Sequence, residues 1–262
     1  MDYNKPLLES VEPDYINEMT ARRAPIEKAK AMTGALGSTI ISFGALAGTA
    51  FGQDKKLPGK IVDVLNFALT LEYLEDAFYR VALGSSGLIP RDTQDVFGQI
   101  SKHETAHVNL LRSVLGSKAV AKPNFDFTAG GAFADVFRNY QTFLAVSQAL
   151  EDTGVRAYKG QAGNLQGNAK ILTTALQIHS VEARHAAMVR RLRNETPWIV
   201  GDSRGTLPAP TQPVYNGEGN TTQGGADVAA LPGLSGKIAS QAFDEPLTKE
   251  QVLAIAGLFI RK

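Results

Sequence analysis

The sequence predicts an all-α protein built on a four-helix bundle with one long crossover. Three observations predict it. Apolar residues recur with the 3.6-residue helical period in four stretches, each of roughly 24 to 28 residues, between Ile61 and Asn194. The links between these stretches run short, long, short, and a long middle link marks a crossover. One four-residue pattern, Glu-x-x-His, occurs in the second stretch and again in the fourth. Composition agrees, because a chain of 262 residues that is 44% hydrophobic can bury one sizeable core. With 27 Lys+Arg against 26 Asp+Glu, the net charge of +1 leaves no cation excess for nucleic acid. The absence of cysteine excludes disulfides, thiolate metal sites, iron–sulfur clusters and cysteine nucleophiles.

Residues 1–56 form an N-terminal extension. Within it, residues 31–53 carry no charge and are mostly Gly, Ala, Ser and Thr, with some Leu, Ile and Phe. At about 1.5 Å per residue a helix of that length just crosses a bilayer, and its weak apolarity resembles the core of an export signal. Arg22-Arg23 look like a twin-arginine pair, whereas Ala24-Pro25 and Glu27 depart from that pattern. Gly44, Gly48 and Gly52 lie four apart and would give a helix a smooth stripe for close packing. Two readings stand. An export or membrane-associated segment puts the protein in the cell envelope or periplasm; a packing helix leaves it cytoplasmic and drives assembly into a homo-oligomer.

The bundle spans residues 57–195. Val64, Leu65, Ala68, Leu69 and Leu71 set the period of the first helix, which runs from Ile61 to Gly84. Pro90 and Asp92 punctuate, and a second helix fits Asp92 to Leu115, ended by Gly116. Lys122-Pro123-Asn124 and Gly130-Gly131 mark residues 116–131 as the long connection. A third helix is expected from Ala132 to Lys159, a break at residues 160–167, and a fourth from Asn168 to Asn194, stopped before Pro197. Residues 196–262 form a C-terminal segment. Its first part, to Pro246, holds six of the twelve prolines and reads as extended chain wrapping the bundle. A short helix follows, with Thr248 and Gln251 fitting a capping box and Leu253, Ile255, Leu258 and Phe259 as the side that docks.

Chemistry concentrates in the repeated tetrad, Glu104-Thr105-Ala106-His107 and Glu182-Ala183-Arg184-His185. Residues i and i+3 share a helix face about 5–6 Å apart, so each Glu and His can reach one ion together. The other two helices each place one carboxylate, Glu72 and Glu151, in an apolar run. Glu72 precedes Glu104 by 32 residues and Glu151 precedes Glu182 by 31, and each lone glutamate has a tyrosine seven residues on, Tyr79 and Tyr158. The chain therefore reads as two helical hairpins of one design, meeting about a pseudo-twofold axis with four Glu and two His inward. Four ionised carboxylates in a core repel and resist desolvation, and two divalent cations cancel their charge. Oxygen and imidazole donors suit Fe, Mn or Zn, and bridging carboxylates favour the redox-capable pair.

Neighbours divide. Glu75 lies on nearly the face of Glu72 and is either an additional ligand or entry carboxylate, or a solvated partner for Arg80; its counterpart in the second hairpin is Gly154. His179, one turn before Glu182, is either second to the ligands or a hydrogen-bonded core or surface histidine. His103 points about 100° from Glu104 and reads as outside the site. Tyr79 and Tyr158 lie about 10 Å along their helices from their own glutamates, so any role lies across the bundle on a facing helix; the other reading is a core tyrosine with a satisfied hydroxyl.

The chain resembles the ferritin-like superfamily. The stretch Leu65-Asn66-Phe67-Ala68-Leu69-Thr70-Leu71-Glu72-Tyr73-Leu74-Glu75 is similar to bacterial ferritin-like-domain proteins related to plant desiccation-related proteins, as is the closing segment Ala242-Phe243-Asp244-Glu245-Pro246-Leu247-Thr248. The resemblance implies that Glu72, Glu104, His107, Glu151, Glu182 and His185 are metal ligands and the catalytic set. The expected function is a dinuclear Fe or Mn carboxylate protein that oxidises Fe(II) or consumes O2 or H2O2 in a stress setting. The alternative is a structural or protective assembly in which the metals only stabilise the bundle.

Overall fold

The computed structural model describes residues 57–261; the readings attached to residues 31–53 lie outside the described residues. Four long helices form the body: α1 (Gly59–Gly84), α2 (Gln94–Leu115), α3 (Tyr140–Ala162) and α4 (Ala169–Leu192). α1 packs along α2, α3 along α4, and α1 also meets α3. The all-α bundle with one long crossover is the observed fold. Among the described residues no helix is long and apolar enough to cross a membrane.

The third helix starts later than its pattern predicts. Asp126 accepts hydrogen bonds from the backbone of Thr128 and Gly130, and Ala129, Gly130 and Gly131 all take positive φ, so the chain turns repeatedly here. Phe133 and Val136 fill the core from this turn region and supply the apolar spacing that imitates a helix. Asn139 then adopts an extended conformation and its side chain accepts from the backbone N–H groups of Gln141 and Thr142, which sets the start at Tyr140. At the other end the helix runs on to Ala162, through the expected break at Gly160.

Two apolar clusters fill the bundle. One holds Phe78, Phe97, Phe143 and Leu144; the other holds Leu65, Leu69, Leu111, Leu165 and Ile178. On α2 and α4 the Glu-x-x-His tetrads fall between the residues of the two clusters. A polar layer is thus sealed between apolar ones.

α3 is buried almost continuously from Phe143 to Tyr158, because the C-terminal segment covers its outer side. That segment is less extended than its composition predicts. It contains a 3-10 turn at Ala209–Val214, a minimal hairpin of β1 (Thr222–Gln223) and β2 (Ala226–Asp227), and the short helix α5 (Gly236–Ser240). Arg156, 1% exposed, holds it down: its Nε lies 2.7 Å from Glu218 Oε1 and donates to the Glu245 carbonyl, while Nη1 and Nη2 donate to the carbonyls of Val214 and Asn216. Beside it the Leu247 carbonyl sits where a side chain at Gly160 would begin.

The last helix, α6 (Lys249–Ala256), has the Thr248/Gln251 capping box in both directions. Its docked side is Val252, Ile255 and Ala256, with Phe259 just beyond; Leu253 and Leu258, expected in that face, are exposed. Helical geometry explains the difference, since 252, 255, 256 and 259 share one stripe and 253 lies about 100° round from 252.

Candidate metal centre

The four helices bring Glu72 (α1), Glu104 and His107 (α2), Glu151 (α3), and Glu182 and His185 (α4) to one place. All four glutamates are 0% exposed, and the two histidines are buried. Their donors fall into two groups, Glu72–Glu104–His107–Glu182 and Glu104–Glu151–Glu182–His185, with the atoms of each group within 4.8 Å of one another.

The atom-by-atom pattern is that of two adjoining positions. His107 Nδ1 lies 3.2 Å from Glu72 Oε2, 3.2 Å from Glu104 Oε2 and 3.2 Å from Glu182 Oε1. His185 Nδ1 lies 2.9 Å from Glu104 Oε1, 3.2 Å from Glu151 Oε2 and 3.4 Å from Glu182 Oε2. Glu104 and Glu182 therefore give one oxygen to each position, while Glu72 and Glu151 each serve one. A single ring nitrogen has at most one proton and cannot donate to three oxygens at once. Donors about 2.1 Å from a shared ion at octahedral or tetrahedral angles lie about 3.0–3.4 Å apart, and these spacings are compatible with that arrangement. Glu104 Oε1 and both oxygens of Glu182 accept no hydrogen bond although wholly buried. Unpaired buried carboxylate oxygens facing imidazole nitrogens fit a cation, and a set of oxygen and nitrogen donors fits Fe, Mn or Zn.

The two tyrosines act across the bundle. Tyr158 on α3 donates its hydroxyl to Glu72 Oε1, and Tyr79 on α1 donates to Glu151 Oε1 while lying 2.7 Å from Ser147 Oγ. Each lone glutamate thus has one oxygen held by a facing tyrosine and the other turned to the histidine of its own hairpin. Ser147 went unnoticed in the pattern; its signal is the i, i+4 relation to Glu151 on α3.

Two neighbours need correction. Glu75 is not a solvated partner for Arg80: it is 3% exposed, and Arg80 pairs with Asp76 at 2.7 Å. His103 is not outside the site: its Nδ1 is 2.9 Å from His185 Nε2, and its other nitrogen meets Gln99. The 100° rotation on α2 that turns His103 from Glu104 turns it toward α4, which only the packing of the two hairpins reveals. Two imidazole nitrogens at this distance share one proton, so His103 holds the His185 ring by its Nε2 edge. His179 is half-buried, with its Nε2 enclosed and unpaired, and makes no hydrogen bond to the cluster.

Electrostatics follow from burial and crowding. Burial and the neighbouring carboxylates push the acidity of Glu104 and Glu75 down, raising both well above the ordinary carboxylate value. Glu151 is pushed up to about 7, burial outweighing the attraction of His185. His185 is raised to about 12: burial acts to lower it, but the facing carboxylates of Glu151, Glu104 and Glu182 prevail. Glu182 sits below the usual range, burial being outweighed by the imidazoles of His107 and His185 that face it. Burial holds Tyr79 and Tyr158 far above the ordinary phenol value, so their hydroxyls stay donors. Without metal, protons from the imidazoles and acids do the neutralising that two cations would do.

Residues 60–195 match the sequence profile of the ferritin-like domain, a stretch that begins in α1 and ends just after α4. No curated protein matches the chain.

Proposed function

The chain belongs to the ferritin-like domain family, and from that premise we propose that its six buried donors hold two redox-active ions, iron first and manganese next, with zinc a redox-silent occupant. One observation carries the reading: Glu104 and Glu182 each turn one oxygen to His107 and the other to His185. Bound there, a pair of Fe or Mn ions supplies one-electron redox chemistry toward O2 or H2O2, and the reactions we assign are Fe(II) oxidation, peroxide removal or both.

The residues have separable tasks. Glu104 and Glu182 would serve both ions, one oxygen to each. Glu72 and Glu151 close the two ends, each fixed by a tyrosine hydroxyl from the opposite hairpin. His103 meets Nε2 of His185 and fixes the orientation of that ring. The apolar layers on either side exclude bulk water, which strengthens every charge interaction within.

The test is direct. Full-length protein grown with Fe and Mn should carry close to two ions per chain and should consume O2 or H2O2 when supplied with Fe(II). Metal content far below two sinks the dinuclear reading. Two ions without turnover above buffer leaves the alternative, a protective or structural bundle that metals staple.

A further inference from the structure

The two positions are alike in their six shared donors but not in what surrounds them. Glu75, one turn after Glu72 on α1, is 3% exposed, and the charged groups around it are the carboxylates of Glu182, Glu151, Glu104 and Glu72. An ionised carboxylate at that depth among other carboxylates is costly unless it takes up a proton or a cation meets it. A β-carbon built at Gly154 would lie 3.3 Å from Glu75 Oε1 and 3.7 Å from Glu182 Oε2. Gly154 stands where the pseudo-twofold would place a second such acid, and its bare backbone is the space into which Glu75 points.

The placement selects a side. Glu182 Oε2 is the oxygen turned to His185, and Gly154 is one turn after Glu151, so Glu75 faces the position served by the second hairpin. A small cavity between α1 and α3, lined by Leu71 and Leu150 and roofed by Ile255 and Ala256 of α6, reaches the same carboxylate. His103 contacts the histidine of that position too, and its counterpart by the pseudo-twofold is Val181, whose side chain makes no hydrogen bond.

We propose that Glu75 is a seventh ligand committed to the metal position of Glu151 and His185, so that the dinuclear centre is built with one oxygen-richer, tighter position and one weaker position. The inference rests on the dinuclear reading above and adds inequality to it. Five donors, Glu75, Glu104, Glu151, Glu182 and His185, serve the tighter position; four, Glu72, Glu104, His107 and Glu182, serve the other.

Cobalt(II) is a suitable probe, being stable in air and absorbing more strongly when four-coordinate than when five- or six-coordinate. Titrated into metal-free, full-length protein, it should bind in two steps at least about tenfold apart, the first weakly coloured and the second strongly. Glu75→Gln and Glu75→Ala should weaken the first step about tenfold or more and intensify its colour, leaving the second in place. Gly154→Ala, which crowds Glu75 with a methyl group, should weaken the same step. In a His107→Ala background the Glu75 substitution should keep its effect, and in a His185→Ala background lose it. Removing a buried acid from among other carboxylates should raise the melting temperature of the metal-free protein, which also shows that the variants fold. Unchanged isotherms and spectra in both Glu75 variants overturn the proposal while leaving two ions per chain intact. Loss of both steps together overturns the commitment to one position. Fewer than two ions in the unsubstituted protein overturns the dinuclear reading itself.

Discussion

Replacing Tyr158 and Tyr79 singly by Phe tests how the candidate centre is held. Each substitution removes one hydroxyl and keeps the ring, so the packing of two fully enclosed side chains changes little. In Tyr158→Phe, Glu72 Oε1 loses the donor from α3; in Tyr79→Phe, Glu151 Oε1 loses the donor from α1. A hydrogen bond to an ionised group contributes about 1.5–3 kcal/mol, which corresponds to about 10- to 100-fold in metal affinity. The losses should be crossed. Tyr158→Phe weakens the position of Glu72 and His107, and Tyr79→Phe weakens the position of Glu151 and His185, although the altered tyrosine belongs to the opposite hairpin. Tyr79→Phe should be the milder, because Ser147 lies 2.7 Å from the lost hydroxyl and one turn from Glu151, and offers a replacement donor. The assay is manganese(II) titration of metal-free protein, with the free ion counted by its electron paramagnetic resonance signal. Isotherms for both variants within twofold of the unsubstituted protein would refute the reasoning, since an orienting hydroxyl cannot be removed without cost to the ligand it orients.

Three further outcomes follow from the same geometry. Glu104→Ala removes an oxygen from both positions and should abolish most metal binding; with each ion at about a hundredfold its dissociation constant, two ions contribute about 5 kcal/mol, so the melting temperature in excess metal should fall by about 10–20 °C, measured by calorimetry. The folded value of Glu151, about 7, lies above its ordinary 4.5, so its contribution to metal-free stability is full below pH 4.5 and lost as pH rises through 7; His185, at about 12 against 6.5, works in the same direction at higher pH. Denaturant unfolding of the metal-free protein should show it weaker at pH 8 than at pH 5, and calorimetric titration in buffers of different ionisation heat should show protons released as metal enters. Gly160→Ala would put a β-carbon 2.0 Å from the Leu247 carbonyl oxygen and should loosen the C-terminal segment from α3, at a cost of about 1–3 kcal/mol or more, seen as faster proteolysis between residues 205 and 240.

Much of this protein is local, and what is local was legible. Helical periods, the start of the fourth helix at Asn168, the Gly116 stop and the Thr248–Gln251 capping box are decided within one or two turns, and each is found close to where the pattern puts it. The start of α3 was misjudged for the same reason: Phe133 and Val136 have helical spacing but serve the core from turns, and nothing between residues 132 and 139 reports that at short range. Glu72, Glu104, His107, Glu151, Glu182 and His185 could be singled out because a twofold repeat makes sequence spacing stand in for spatial symmetry.

The departures from that symmetry belong to tertiary structure. Spacing on α1 alone left Glu75 between burial and solvent; packing against Gly154 put it inside. Rotation about α2 turned His103 away from Glu104, and only the approach of α4 gave it His185 as a partner. The exposed side of α6 and the near-complete burial of α3 likewise depend on the C-terminal segment crossing the bundle. A helix face is fixed by its own residues, because the period is a property of the backbone; what that face meets is fixed by chain that lies tens of residues away, and no local period encodes it.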